Sequence, residues 1–181
     1  QSMSVTLPDG SEHKATLIGS DQVTDIAVIK IDVTGLVPAV FGNSDNLQVG
    51  EFCLAIGNPM VTLGGTVTDG IISAVNRQVT ISGNNMTLLQ MSAAVSPGNS
   101  GGGLFNSQGE LLGVVNAKSG ETNTEGLGFA ILANTALDVA TQLIEHGRVT
   151  GRPALGVMIR TISTEAEAAA QGVSEPGVYI V

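Results

Sequence analysis

One stretch of the chain concentrates the means for chemistry: Pro97-Gly98-Asn99-Ser100-Gly101-Gly102-Gly103. A serine set among glycines can be held with its hydroxyl exposed. The glycines let the backbone turn sharply and point N–H groups at an incoming oxyanion. That is equipment for nucleophilic acyl transfer, although a Gly-rich turn with an incidental serine satisfies the heptapeptide equally well. A hydroxyl nucleophile needs a base, and the base needs an acid to orient it. Asp25, at the head of Ile26-Ala27-Val28-Ile29, reads as a partly buried acid beside a hydrophobic strand, or as a plain turn carboxylate. The histidines are His13 and His146.

Two arrangements compete for Ser100. Gly98-Asn99-Ser100-Gly101-Gly102 matches G-x-S-x-G, the strand–turn–helix elbow that presents a serine ahead of a later acid and histidine, here Asp138 and His146. Ser100 is succeeded, however, by Leu104-Phe105 and a turn at Asn106 to Gly109, a hairpin rather than a helix. Asp138 and His146 also fall on one amphipathic helix, too far apart to pair. The elbow is rejected. The other arrangement is the chain order histidine, aspartate, serine.

The elements around these residues are short. Ser4 to Leu7, the turn Pro8-Asp9-Gly10 and the alternation from His13 to Ile18 read as a hairpin, and Ile26 to Ile31 as a strand. Further strands are expected at 51–56, 65–75, 78–82, 86–91, 110–117 and 127–131. Many strands without intervening helices favour a barrel or sandwich. Near Asn134 the pattern turns helical. Ala136, Leu137, Ala140, Leu143 and Ile144 form one face, Thr135 and Asp138 have capping-box spacing, and Gly147 is the stop. Residues 148–153 read as a linker. Beyond it come a strand from Leu155 to Ile159, a short helix capped by Thr164 and Glu167 and ended by Gly172, and a terminal strand.

Composition bounds the rest. With 7 Lys+Arg against 16 Asp+Glu the 181-residue chain carries a net charge of −9, which disfavours nucleic acid. No apolar run is long enough to span a bilayer as a helix. The 24 glycines, roughly twice the usual share, are scattered as in a turn-rich all-β protein. Cys53 is a small core residue, with no partner for an intrachain disulfide. Neither a metal cluster nor a phosphate loop is visible, so no cofactor is expected. Both ends of the chain read as the middle of strands, and truncation at each is expected.

Several stretches in order resemble the protease domain of the HtrA (Deg) family of serine endopeptidases. They are Leu7-Pro8-Asp9-Gly10, Thr24-Asp25-Ile26-Ala27-Val28-Ile29-Lys30-Ile31, Val49 to Pro59, Thr66 to Ala74, Ala93 to Phe105, and Gly126-Leu127-Gly128-Phe129-Ala130-Ile131. The resemblance covers residues 1–147. It implies an all-β, trypsin-like double β-barrel, its first barrel lacking N-terminal strands, with a C-terminal helix. Residues 154–181 resemble the start of the PDZ domain that follows in this family, with Ala154-Leu155-Gly156-Val157 as its peptide-carboxylate loop and strand.

The resemblance makes Ser100 the nucleophile, Asp25 the orienting acid, and the amides of Gly98 and Ser100, flanking Asn99, the oxyanion hole. Val95-Ser96-Pro97 and Val115-Asn116-Ala117 would line a pocket for small or medium apolar side chains. The loops Gly57 to Gly65 and Lys118 to Glu125 would be those that order on activation. The family's catalytic histidine belongs to an H-V motif upstream of Ser4. His13, on the hairpin, does not replace it, and His146 is a helix-terminal contact. The 181 residues alone are therefore expected to lack proteolytic activity. Met91-Ser92 stands where the family often has Thr-Asp, and Leu132 where it has proline.

The resemblance further implies ATP-independent cleavage of unfolded or damaged proteins, peptide binding by strand addition at the PDZ domain, homotrimers, and a location outside the cytoplasm, often behind an anchor. The rival reading is a non-catalytic HtrA-like chaperone or PDZ scaffold. The intact Asp25 and Ser100 loop weigh against it.

Overall fold

β-branched and alternating residues build the first sheet. β1 (Met3–Thr6), β2 (Glu12–Asp21) and β3 (Ile26–Ile31) pair antiparallel in the order β1-β2-β3. The first hairpin turns at Gly10, with φ of 84°. There Asp9 accepts from the Ser11 hydroxyl at 2.6 Å and its amide at 2.9 Å, which holds the Asp9 carboxyl below its ordinary pKa. The second hairpin is closed by Gln22 to Asp25, since Asp21 pairs with Ile26. In the computed structural model the described residues are 2–58, 65–81, 84–96, 98–116, 127–152 and 156–180. They fall into two units, Gln1–Val149 and Thr150–Val181.

The rest of the first unit is a closed antiparallel ring. β4 (Val40–Phe41) is followed by a 3₁₀ turn at Ser44–Asn46. Then come β5 (Phe52–Gly57), β6 (Thr66–Ile81), β7 (Asn84–Met91), β8 (Gly103–Phe105), β9 (Glu110–Asn116) and β10 (Gly128–Leu132). The pairing runs β10-β7-β6-β5-β8-β9 and returns to β10, with β4 added in parallel to β9. Closure removes sheet edges from the ring. Its inward side chains include Cys53, Ile72, Leu89, Met91, Leu104, Leu112, Val115 and Ala130. Burial, with a smaller contribution from Asp69, pushes the Cys53 thiol up to about 11, so it stays neutral as a core residue does.

β10 runs straight into α1 (Ala133–His146), which is ended by Gly147 in the left-handed conformation at φ of 70°. The helix starts earlier than the Thr135–Asp138 spacing suggests. Its N-cap is Leu132, without a side-chain cap. Its first turn is instead fixed by Asn134, whose amide donates to Ser44 Oγ at 3.1 Å and whose Nδ2 donates to Asn43 Oδ1 at 2.9 Å. The buried face is Ala133, Ala136, Val139 and Leu143, whereas Leu137 and Ile144 are exposed. That face joins Ile26, Ile81, Met86, Leu88, Phe129 and Ile131 in a second core that ties sheet, ring and helix together. Leu143 also abuts Gly19 on β2, where an added Cβ would lie 3.1 Å from its Cδ2. Leu143→Ala is expected to cost about 2–5 kcal/mol, read as a lower urea midpoint at unchanged m.

β6 is one strand where the sequence suggests two. Its register shifts at Ile72/Ala74 and Ala74/Arg77, and Asn76 takes φ of 59°, so a bulge absorbs the apparent break. In the second unit, β11 (Ile159–Ile162) pairs with β12 (Gly177–Ile180), and α2 (Glu165–Gln171) lies between them in sequence. β11 begins where the expected strand from Leu155 would end. Residues 156–158 are irregular, with Gly156 at φ of 65°. Thr164 caps α2 by accepting from the Glu167 amide at 3.2 Å, and Gly172 ends it at φ of 72°.

Candidate active site

After β7 the chain lies across β6. Ser92 Oγ accepts from the Ile71 amide at 3.0 Å, and Thr68 Oγ1 donates to the Ala94 carbonyl at 2.7 Å. Ser92 thus supplies loop support with a hydroxyl. Gly70 lets the two backbones touch, since a Cβ there would collide with the backbone of Ala93. The following turn uses glycine where the geometry demands it, Gly98 at φ of 103° and Gly101 at 84°. The Asn99 amide donates to Ser96 O at 3.0 Å, and Asn99 O accepts from Gly102 at 2.9 Å. Gly101 donates to Val115 O at 2.9 Å, and Val115 donates to Gly102 O at 2.8 Å. The turn is thereby fastened to β9.

Within this turn Gly98 and Ser100 are exposed and Asn99 is buried. Asn99 sits against the end of β5, where a Cβ on Gly57 would be 2.5 Å from its Oδ1. Among the described residues, that Oδ1 is buried without a hydrogen-bond partner, a condition that costs about 1–3 kcal/mol. An exposed serine hydroxyl in a tight glycine-rich turn can attack a carbonyl, and backbone amides of such a turn can stabilise the alkoxide that results.

Asp25 occupies the last position of the β2–β3 turn, at φ of 57°. A non-glycine residue in that conformation carries strain of about 1–3 kcal/mol, least for Asp and Asn. Several ties surround it. Asp21 Oδ2 accepts from the Thr24 amide at 3.0 Å and its hydroxyl at 2.5 Å. Asn84 Nδ2 donates to the Gln22 carbonyl at 3.3 Å, and Asn116 Nδ2 donates to Asp25 Oδ2 at 3.3 Å. The residue is exposed rather than partly buried, since it sits in the turn and not within a strand. Asn116, itself 3% exposed, donates this bond from a buried position at the end of β9. No local spacing reveals this pairing, since 91 positions separate the two residues.

The consecutive residues Val115 and Asn116 therefore bring Ser100's turn and Asp25 to one corner, at the end of β9. Beside it Val95 packs on Gly128, where a Cβ would collide with Val95 Cγ2. Val95 is partly buried, Ser96 exposed and Val115 buried. Pro97, Ala117, the loop Lys118–Glu125, most of the connection from Gly57 to Gly65, and Ala154 and Leu155 lie outside the described residues. Gly156 and exposed Val157 belong to the second unit.

The two imidazoles have neighbours of their own. His13 Nε2 contacts Ser11 Oγ at 2.9 Å, at the opposite end of β2 from Asp25 and about 25 Å of strand away. His146, in the last turn of α1, lies 3.8 Å from Glu145 Oε2. Among the described residues no cluster of His, Cys, Asp and Glu is placed to hold a metal ion. No described helix is long and apolar enough to cross a membrane.

A closed antiparallel ring that presents such a serine turn next to an acid on a neighbouring sheet is the scaffold of trypsin-like peptidases. Residues 1–114 match the trypsin-like peptidase domain, and the chain belongs to that family, in its HtrA/Deg branch. It is 42% identical over 167 residues to the serine protease Do-like HtrB of Bacillus subtilis, covering 89% of this chain and 36% of that protein. It is 46% identical over 162 residues to a probable periplasmic serine endoprotease DegP-like of Chlamydia pneumoniae, covering 89% and 33%. Among solved structures it superposes on the HtrA-type protease AlgW with decapeptide at a TM-score of 0.77, with 43% identity over 99% of this chain and 55% of that one. The chain thus spans about a third of the length of these curated relatives.

Proposed function

We propose that the full-length protein is a serine endopeptidase of protein quality control, cleaving unfolded or damaged proteins outside the cytoplasm. The observation that carries this reading is the corner at the end of β9, where Val115 fastens the Ser100 turn and Asn116 bonds Asp25. In the reaction Ser100 Oγ attacks the scissile carbonyl and passes its proton to an imidazole oriented by Asp25. The amides of Gly98 and Ser100 receive the oxyanion. The imidazole then protonates the leaving amine, and water releases the acyl group by the same steps in reverse. The catalytic histidine of the family belongs to an H-V motif upstream of Ser4, and neither His13, bonded to Ser11, nor His146, beside Glu145, takes its place.

The substrate side chain enters between the 95–97 and 115–117 segments. With Val95 and Val115 there, and no acid among these residues, it is small or medium and apolar. Residues 154–181 are the start of a PDZ domain that binds peptides by strand addition, with Ala154 to Val157 at the peptide's carboxylate. The assembly is a homotrimer. Support for peptide substrates and for the location comes from the relatives, an AlgW structure with a decapeptide and proteins named periplasmic.

The test is to incubate full-length protein with a reduced, carboxymethylated protein and, separately, with a fluorophosphonate. Fragments ending in Val or Ala, and a phosphonyl group mapped to Ser100, are expected. A folded full-length protein that neither cleaves nor labels overturns the reading.

A further inference from the structure

We infer that Asp21 and Thr24 form a positioning latch for the acid of the proteolytic reaction. The latch rests on the proposed role of Asp25, and it adds two residues that touch neither substrate nor the reacting atoms. The turn from Gln22 to Asp25 must deliver a carboxylate at a fixed angle while leaving its last residue at φ of 57°. A residue with a Cβ relaxes from that region to the right-handed or extended one unless its surroundings hold it.

The holding group is a carboxylate four residues earlier. Asp21 is the last residue of β2, and its Oδ2 takes both the amide and the hydroxyl of Thr24, the residue immediately before Asp25. The peptide entering Asp25 is thus pinned on its N-terminal side by the latch. On its C-terminal side Ile26 is already paired in β3 and buried in the second core. With both flanks fixed, the conformation of Asp25 is determined. Asn116 reaches the carboxylate itself, at 3.3 Å, so it holds a group that the latch has already aimed. The Asn84–Gln22 bond steadies the outer part of the turn but lies three residues before the acid.

Geometry of this kind is felt in rate rather than in binding, because a displacement of about 1 Å in a catalytic group can cost on the order of 100-fold. Removing the Thr24 hydroxyl as Thr24→Val leaves the amide bond in place and so weakens the latch. Asp21→Ala removes it.

The experiment measures kcat and KM for a peptide substrate with full-length protein carrying Thr24→Val, Thr24→Ser or Asp21→Ala, each alone and combined with Asp25→Asn. Thr24→Val is expected to lower kcat about 10-fold and Asp21→Ala about 100-fold at unchanged KM, with Thr24→Ser near wild type. In the Asp25→Asn background the same changes should alter kcat less than about two-fold, since a latch that acts through the carboxylate has nothing left to aim. Undiminished effects in that background, a shared rise in KM, or failure of Thr24→Ser to restore the rate each overturn the latch. If Asp21→Ala fails to fold, the Thr24 pair decides alone. Activity that survives Ser100→Ala would instead overturn the protease reading, and the two failures are therefore separable.

Discussion

Ser100→Ala in the full-length protein should lower kcat for peptide cleavage by on the order of 10⁵- to 10⁶-fold, while KM and thermal midpoint stay near wild type. The size comes from the step removed. With no Oγ there is no acyl-enzyme, and only binding and the oxyanion donors remain, which act on an attacking water poorly or not at all. The unchanged stability comes from position. Ser100 is exposed, its turn is fastened through the backbone of Gly101, Gly102 and Val115, and alanine tolerates the same conformation. Kinetics with a chromogenic peptide ending in Val or Ala, beside a thermal melt, check both parts. A loss of activity accompanied by a lowered melt would point to a structural serine rather than a nucleophile.

Asp25→Asn is the second large effect, a loss in kcat of about 10⁴-fold at little cost in stability. Asparagine accepts the left-handed backbone nearly as well as aspartate, so the turn keeps its shape. Asn116 can still donate to the oxygen of the new amide. The other end of that amide is then an NH₂ group, a donor where the imidazole N–H requires an acceptor. The ring is left in the wrong tautomer, and proton removal from Ser100 fails. Because the carboxylate is exposed, urea unfolding should barely move. Ordinary cleavage by Asp25→Asn would assign the orienting role to another group.

The parts of the molecule that could be read from the sequence are those fixed by local chemistry. The Gly98–Gly102 run reads as a tight turn, and the Asn106–Gly109 cluster after Leu104-Phe105 as the closure of a hairpin, which is β8–β9. Gly147 and Gly172 stop their helices in the conformation glycine alone adopts cheaply. Most of the misreadings trace to contacts distant along the chain. Thr135 and Asp138 have the spacing of a cap, but Asn134 finds Asn43 and Ser44, some 90 positions earlier, and the helix starts before them. Leu137 and Ile144 look like core by periodicity, yet the face that α1 buries is the one meeting Gly19, Ile26 and Phe129. The bulge at Asn76 hid the continuity of β6, because a break in alternation looks the same whether the strand ends or kinks. Asn116 as the partner of Asp25 left no local trace at all.

The hairpin β8–β9 carries one end of the site and leaves the other end of itself idle. Val115 and Asn116 are adjacent along one strand, so the spacing between the Ser100 turn and Asp25 is set by a single peptide step, whatever happens at the far end of that strand. The turn at Ser107, Gln108 and Gly109 is exposed and held by Asn106, whose Oδ1 accepts from Gln108 and Glu110. Lengthening the hairpin at this turn is therefore expected to leave kcat for peptide cleavage unchanged. Descendants of this chain could lengthen that tip into a docking or sensing element, and an engineer could graft a tag or fluorophore there, with the chemistry left untouched.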